Sequence, residues 1–259
     1  MSSRRTERVR LDRLILERGL AESREKAQGL ILAGQILVDE QKQDKCGALV
    51  DAQAALRLLG EPPRYVSRGG LKLEGALEFF QVNPAGRVCL DIGSSTGGFT
   101  DCLLQHGASR VFAVDAGTNQ LDWKLRQDPR VVVLEKTNAR YLTPERIGTP
   151  AELVTIDVSF ISATLILPAL IPLLACPADL IVLVKPQFEA GKGQVGKGGI
   201  VRDPAQHREA IDRVSGKLVE LGWRELASRE SPILGAEGNR EFLVHAVWRP
   251  DPGAGIQRG

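Results

Sequence analysis

The chain is 259 residues long with a formal charge of only +2 and an ordinary composition apart from few aromatic residues. That length buries a core of one large or two modest domains, and the near-neutral balance excludes nucleic-acid binding through global charge, leaving only a local basic patch. No apolar run is long enough to span a bilayer, and the charged N-terminus has no secretory apolar region, so a cytoplasmic location is expected. Cys46, Cys89, Cys102 and Cys176 lack CxxC spacing and His106, His207 and His245 are isolated, so reduced thiols and ordinary histidines are expected, with no metal site.

From Arg8 to about Leu59 the pattern differs from that of the remaining chain. Val9, Leu11, Leu14, Ile15 and Leu16 predict a short helix with Arg10, Arg13 and Arg18 on its exposed side. Ser23 is the expected N-cap of a second helix through Ala27, Leu30 and Ile31. Gly34 to Asp39 reads as a turn and a strand, with small β elements at Leu49-Val50 and Leu56 to Leu59. Arg4, Arg10, Arg13 and Arg24 could track a phosphate backbone. The interleaved Glu7, Asp12, Glu17, Glu22 and Glu25 equally suit a solvated, salt-bridged helix surface, and charge alone leaves both readings standing. The strings Arg10-Leu-Asp-Arg-Leu14, Ser23-Arg24 and Gly34-Gln-Ile-Leu-Val-Asp39 resemble the S4 RNA-binding domain, which favours RNA. Gly60-Glu-Pro-Pro-Arg-Tyr65 contains the expected break.

Beyond it, Ser67-Arg-Gly-Gly-Leu-Lys-Leu73 opens a helix over Leu71 to Phe80, with Lys72 beside its apolar face, where a lone lysine usually snorkels to the surface. Val88 to Ile92 reads as a buried strand carrying Asp91, followed by Gly93, Ser95, Gly97 and Gly98, and by a helix with Phe99, Leu103 and Leu104. Such a strand–turn–helix unit opens a nucleotide-binding α/β sheet with its ligand at the strand's carboxyl end. A second strand ends in Asp115, where an acid reaches a ribose diol in doubly wound sheets. A third, Val131 to Leu134, leads to Asn138, which is either a base-edge contact or a loop cap. The fourth, Leu153 to Val158, carries Asp157 and precedes an expected helix from Ala163 to Leu174. The fifth, from Leu180, ends at Lys185. A helix from Ala205 to Leu221 and strands at Trp223 to Ala227 and Glu241 to Trp248 close the chain. Ionisable groups at four strand ends on one rim mark that rim as the seat of chemistry.

Two patterns mislead. Gly191-Lys-Gly-Gln-Val-Gly-Lys-Gly198 follows most of a P-loop, but Gly198 stands where a hydroxyl must hold magnesium, which disfavours ATP. The spacing Gly93, Gly97, Gly98 is not the dinucleotide fingerprint.

Ser67 to Leu73, Leu90 to Asp101, Asp157-Val-Ser-Phe-Ile-Ser162, Val184-Lys-Pro-Gln-Phe-Glu189, Gly196 to Pro204 and Gly238-Asn-Arg-Glu-Phe242 resemble, in order, the TlyA family. That family joins an S4 domain to an FtsJ-like methyltransferase; its members are described as ribosomal RNA cytidine 2′-O-methyltransferases and also as hemolysins. The resemblance implies an α/β fold: a Rossmann-like seven-stranded S-adenosylmethionine-dependent methyltransferase domain over 67–250, after a small α+β S4-like domain over 1–60 and a linker over 61–66. The tail 251–259 is expected to be disordered. The family's Lys–Asp–Lys–Glu tetrad falls on Lys72, Asp157, Lys185 and Glu241. S-adenosylmethionine is the implied cofactor, held by Asp91, Gly93, Ser95, Gly97, Gly98, Phe99, Asp115, Asn138 and Asp157; ribosomal RNA or ribosomal subunits are the implied partner, with Arg68 added to the RNA contacts.

In-line methyl transfer to oxygen requires alignment, and a ribose hydroxyl requires a positioned base. A lysine serves when desolvation and a nearby ammonium disfavour its charged form. On this reading Lys185 takes the proton, Lys72 supplies the second ammonium and holds ribose or phosphate, Asp157 orients Lys185, and Glu241 completes the network. A non-catalytic RNA-binding or ribosome-assembly factor and a membrane-active hemolysin are the competing classes. The first does not require the tetrad, and the second has no inserting segment here.

Overall fold

The computed structural model describes residues 7–60, 63–189, 199–235 and 238–249. Arg4, the glycine-rich segment 191–198 and the tail 251–259 lie outside the described residues. The chain divides into two compact units, Met1–Arg64 and Tyr65–Gly259.

In the first unit β1 (Arg8–Arg10) leads into α1 (Leu11–Glu17) and α2 (Arg24–Leu32), followed by β2 (Ile36–Val38), β3 (Gln41–Lys42), β4 (Leu49–Asp51) and β5 (Leu56–Leu58). Two small antiparallel sheets result, β1–β4 and β3–β2–β5. Val9, expected within the first helix, pairs instead with Val50 in β1–β4. The pairing of Arg8 to Arg10 takes up these backbone groups, and the helix starts only at Leu11. Ser23 caps α2, its hydroxyl accepting from the Lys26 amide at 3.2 Å. Leu11, Ile15, Ala27, Ile31, Ile36 and Val38 form the core.

The second unit begins with α3 (Gly69–Phe80) and alternates β6 (Val88–Ile92), α4 (Gly98–Gln105), β7 (Arg110–Val114), α5 (Trp123–Arg126), β8 (Val131–Leu134), α6 (Pro144–Ile147) and β9 (Ala151–Ile156). It continues through α7 (Leu167–Leu170), β10 (Leu174–Val184), α8 (Pro186–Glu189) and α9 (Pro204–Glu220), and closes with β11 (Arg224–Glu230) and β12 (Phe242–Trp248). The sheet order is β11-β12-β10-β9-β6-β7-β8. β6 to β10 pair in parallel, and β12 is antiparallel to both of its neighbours. Period-2 alternation sends Leu90, Ile92, Leu180 and Val182 to one core and Cys89, Ile181 and Leu183 to the other, so both faces are buried. α3 and α4 cover one face; α7 and α9 cover the opposite one.

The expected helix from Ala163 to Leu174 is instead a 3-10 turn (Ala163–Leu165), the four-residue α7 and a second 3-10 turn (Ile171–Leu173). Pro168 and Pro172 remove backbone donors and restrict the residues before them, so no continuous helix forms. Leu174, expected as the last helical residue, already starts β10.

Gly97 and Gly98 serve packing. A Cβ on Gly98 would lie 2.2 Å from Ser67 Oγ and 2.9 Å from the Gly70 nitrogen, so its missing side chain sets how closely α3 meets α4. Gly97 has φ +97° and a Cβ there would meet Leu125 at 2.2 Å. Gly98→Ala is expected to cost about 1–3 kcal/mol of catalytic-unit stability by overpacking, readable as a lower urea midpoint with an unchanged slope.

Candidate active site

Four elements bring the tetrad together. Lys72 lies in the second turn of α3, Asp157 directly after β9, Lys185 directly after β10 and Glu241 directly before β12. Lys72 Nζ donates to Glu241 Oε2 at 2.6 Å, and both side chains are almost covered. Rather than snorkelling to the surface, Lys72 makes an ion pair at the sheet's rim. A Cβ on Gly235 would lie 2.0 Å from Glu241 Oε1, so that glycine makes room for the carboxylate. Lys185 Nζ approaches Asp157 Oδ1 at 2.6 Å and donates to Ser159 Oγ at 2.9 Å. The Asp157 contact is a close charge pair without hydrogen-bond direction, since Oδ1 is buried and makes no directed hydrogen bond among the described residues.

Two neighbouring cavities meet at Gly93, Ser95, Asp157 and Ser159. The first, about 300 Å³, holds all four tetrad residues, together with Ser67, Arg68, Phe99 and Thr96. The second, about 400 Å³, runs between Asp115, Gln120 and Asn138 on one side and Val158, Phe160 and Ile166 on the other. Gly93 carries φ +83°, and a Cβ there would lie 2.4 Å from the Asp157 carbonyl oxygen; only glycine permits both the turn and that approach. Asp115 accepts from the Ser95 amide at 2.8 Å and the Gly117 amide at 2.7 Å. An ionised carboxylate retains further acceptor sites after two such bonds. Asn138 caps a 3-10 turn, Oδ1 accepting from the Arg140 amide at 3.1 Å, while also lining the second cavity. The loop-cap reading is thus observed, and the side chain also stands at the wall of the second cavity.

Asp91, Gly97 and Gly98, expected around the cofactor, line neither cavity. Asp91 is fully buried, accepting from Thr100 Oγ1 at 2.6 Å and Thr155 Oγ1 at 2.9 Å, and so ties β6 to α4 and β9. Burial pushes its carboxyl up to about 7, the two threonine hydroxyls opposing the shift. The fold adds three residues to the site. Ser159 holds Lys185, Ser67 lines the tetrad cavity, and Phe160 is 91% exposed at the mouth of the second cavity with φ +66°. All three sit inside the family-like motifs, but neither spacing nor composition distinguishes them there.

In the N-terminal unit Asp12, read from sequence as part of a solvated surface, is fully covered. It accepts from Arg10 Nε and Nη2 at 3.0 and 2.9 Å, from Arg24 Nε at 3.0 Å and from Gln28 Nε2 at 3.1 Å. The Arg10 guanidinium above all, aided by Gln28 and Arg24, holds the Asp12 carboxyl well below the usual range. Both guanidiniums remain half exposed. Arg13 pairs with Glu17 on an exposed helix face at 2.7 Å, and Arg68 is exposed beside the tetrad cavity.

A parallel sheet with an antiparallel last strand, a nucleoside-sized cavity at its carboxyl rim and two lysine–carboxylate pairs beside it define a methyltransferase of the seven-stranded α/β class. An FtsJ-like methyltransferase model matches residues 65–248 and an S4 domain model residues 9–54. YqxC of Bacillus subtilis, named as a candidate rRNA methyltransferase, is 53% identical over 96% of this chain and 88% of its own. The 16S/23S rRNA (cytidine-2′-O)-methyltransferase TlyA of Mycobacterium tuberculosis is 49% identical over 92% of this chain and 89% of its own. A solved structure from Streptococcus thermophilus, titled as a candidate hemolysin, superposes with a TM-score of 0.74 at 45% identity, covering 95% of this chain and 90% of that one. The chain belongs to the FtsJ-like methyltransferase family, in the S4-bearing group that includes TlyA.

No helix among the described residues is long and apolar enough to cross a membrane.

Because the folded-state pKa of Asp91 lies above the unfolded value near 4, its contribution to stability is full below about pH 4. It is lost as pH rises towards about 7, where the folded carboxyl ionises. Asp91→Asn is therefore expected to lose less stability than the parent between about pH 4.5 and 7.5, as measured by urea unfolding at both values.

Proposed function

We propose that this chain transfers a methyl group from S-adenosylmethionine to the 2′-hydroxyl of a cytidine ribose in ribosomal RNA. The convergence of two lysine–carboxylate pairs on one cavity, next to a second cavity suited to a nucleoside, carries this reading. The activity for which the M. tuberculosis relative is named supplies the cytidine and the ribosomal substrate.

The residues present fit the donor. Asp115 offers spare acceptor capacity for a ribose diol, Val158, Ile161 and Ile166 give the second cavity apolar walls, and Asn138 adds a polar group. Asp157, on the wall common to both cavities, sets a carboxylate near the place a cationic sulfur would take. When bound, S-adenosylmethionine supplies an electrophilic methyl group on a sulfonium.

Lys185 Nζ, fixed between Asp157 and Ser159, is the group placed to take the hydroxyl proton. Lys72 lines the same cavity, where its ammonium can hold the ribose or a phosphate. Glu241 holds Lys72 in position, and Arg68 and Ser67 provide donors to a neighbouring phosphate.

Phe160, backed by Phe188 at 5.2 Å between ring centres, presents an open aromatic face on which an unstacked base can rest. The half-exposed Arg10 and Arg24, preorganised by Asp12, suit the phosphates of structured RNA outside the reacting nucleotide. Arg4 and Arg13 remain further candidates for that surface.

Tritiated methyl transfer to separated ribosomal subunits and to naked RNA, followed by mapping of the modified ribose, tests the reading. A methyl on a base, or no transfer from bound donor, would overturn it. Lys185→Ala is expected to lower turnover by about 10²–10⁴-fold while donor binding by calorimetry persists. Phe160→Ala is expected to lower kcat/KM for RNA about tenfold through lost stacking, with Phe160→Tyr close to the parent.

A further inference from the structure

The two motifs that hold the Lys185–Asp157 pair each end in a residue with no role in the chemistry above, Ser162 and Glu189. These two residues bond to each other. Glu189 is buried; Oε2 accepts from Ser162 Oγ at 2.5 Å and Oε1 from the Ala163 amide at 2.8 Å. Its backbone is fixed as well. The Phe188 and Glu189 amides donate to the Lys185 carbonyl at 2.9 and 3.2 Å, and the Glu189 carbonyl accepts from Arg213 of α9 at 2.6 Å. Glu189 thus stands one helical turn after Lys185, while Ser162 closes the short loop that leaves Asp157 and carries Ser159 and Phe160.

We infer that Glu189 is a positioning residue: its carboxylate straps the Asp157–Ser162 loop to the Lys185 turn, setting the separation of the two catalytic partners and the seat of Phe160. The inference rests on the proposed roles of Lys185 and Asp157.

Three observations support it. The strap bridges two segments that share no backbone pairing at these positions, since β9 and β10 pair only as far as Ile156 and Val182. The Phe160–Phe188 contact joins the same two segments farther out. A buried carboxylate is costly unless donors converge on it, and here two do, although burial still pushes the Glu189 carboxyl up. A core position free of such a task would be filled more simply by an apolar side chain.

The predicted dependence is geometric. Glutamine at position 189 can accept from the Ala163 amide and donate to Ser162 Oγ, preserving the strap without charge. Alanine cannot, and Ser162→Ala removes the hydroxyl's bond to Glu189 together with its cap on the Thr164 amide, while the bond from the Ala163 amide to Glu189 stays.

The full chain is assayed with tritiated S-adenosylmethionine and the ribosomal RNA substrate, as kcat and KM per folded molecule beside thermal midpoints, with Lys185→Ala as reference. Ser162→Ala and Glu189→Ala are expected to lower kcat by about 10- to 100-fold, the scale of a small misplacement of reacting groups, with KM for RNA changed less. Glu189→Gln should stay within about threefold of the parent, and the double alanine variant should match Glu189→Ala, which already removes both bonds of the strap.

Wild-type kcat in folded Ser162→Ala beside an inactive Lys185→Ala would overturn the strap and leave the proposed function standing. Glu189→Gln as impaired as Glu189→Ala would also overturn it, by showing a requirement for charge. Full turnover by Lys185→Ala would overturn the catalytic reading and the strap together. If Glu189→Ala does not fold, Ser162→Ala and Glu189→Gln decide.

Discussion

The missing side chain at Gly93 is the constraint on which the catalytic rim depends. With no Cβ to clash, the end of β6 turns back at positive φ and the Asp157 backbone comes directly against it. The Asp157 amide then donates to the Ile92 carbonyl at 2.9 Å, extending the β6–β9 pairing past the last paired strand residues. That close approach places Asp157 on the wall common to both cavities. The turn at Gly93 therefore seats the carboxylate that Lys185 meets.

Acids at the ends of three parallel strands acquire three different tasks from their surroundings. Asp91 points inward, loses all contact with water and becomes a clamp for two threonines. Asp115 stays half-buried, anchored by two amides with acceptor capacity left over. Asp157 faces Lys185 at the junction of the cavities. Their shared chemistry says little; desolvation and neighbouring donors separate them. The two lysine–carboxylate pairs are weak evidence for stability, since a buried pair can cost as much in desolvation as it returns in attraction. Both pairs line one cavity, where the proposed transfer to a poor oxygen nucleophile needs a positioned base.

The N-terminal unit shows the same principle at smaller scale. Its evenly mixed charges read equally well as a solvated helix surface, and Arg13–Glu17 is just that. Asp12 differs because Arg10, Arg24 and Gln28 close over it. A carboxylate covered by its own partners fixes two guanidiniums from separate elements while leaving each half open, which suits planar recognition of phosphate.

Apolar runs made β6 to β10 legible, because strands buried on both faces read as continuous Val, Ile and Leu. The N-cap at Ser23 was legible because its signal is local, and the helix before Leu221 because its amphipathic period is unbroken. The long helix expected after Ser162 failed on a local rule, two prolines, whose weight the apolar periodicity around them masked. By itself the sequence determined which groups are available: the strand order along the chain, the acids and lysines at strand ends, and the family pattern that picks out Lys72, Asp157, Lys185 and Glu241. Only the tertiary structure decided that Lys72 meets Glu241, that Asp91 is sealed away, that Gly98 spaces two helices and that Ser162 meets Glu189. Each of these joins residues from separate elements. Their contacts follow from the order and spacing of the strands in the sheet, which no local pattern in the chain encodes.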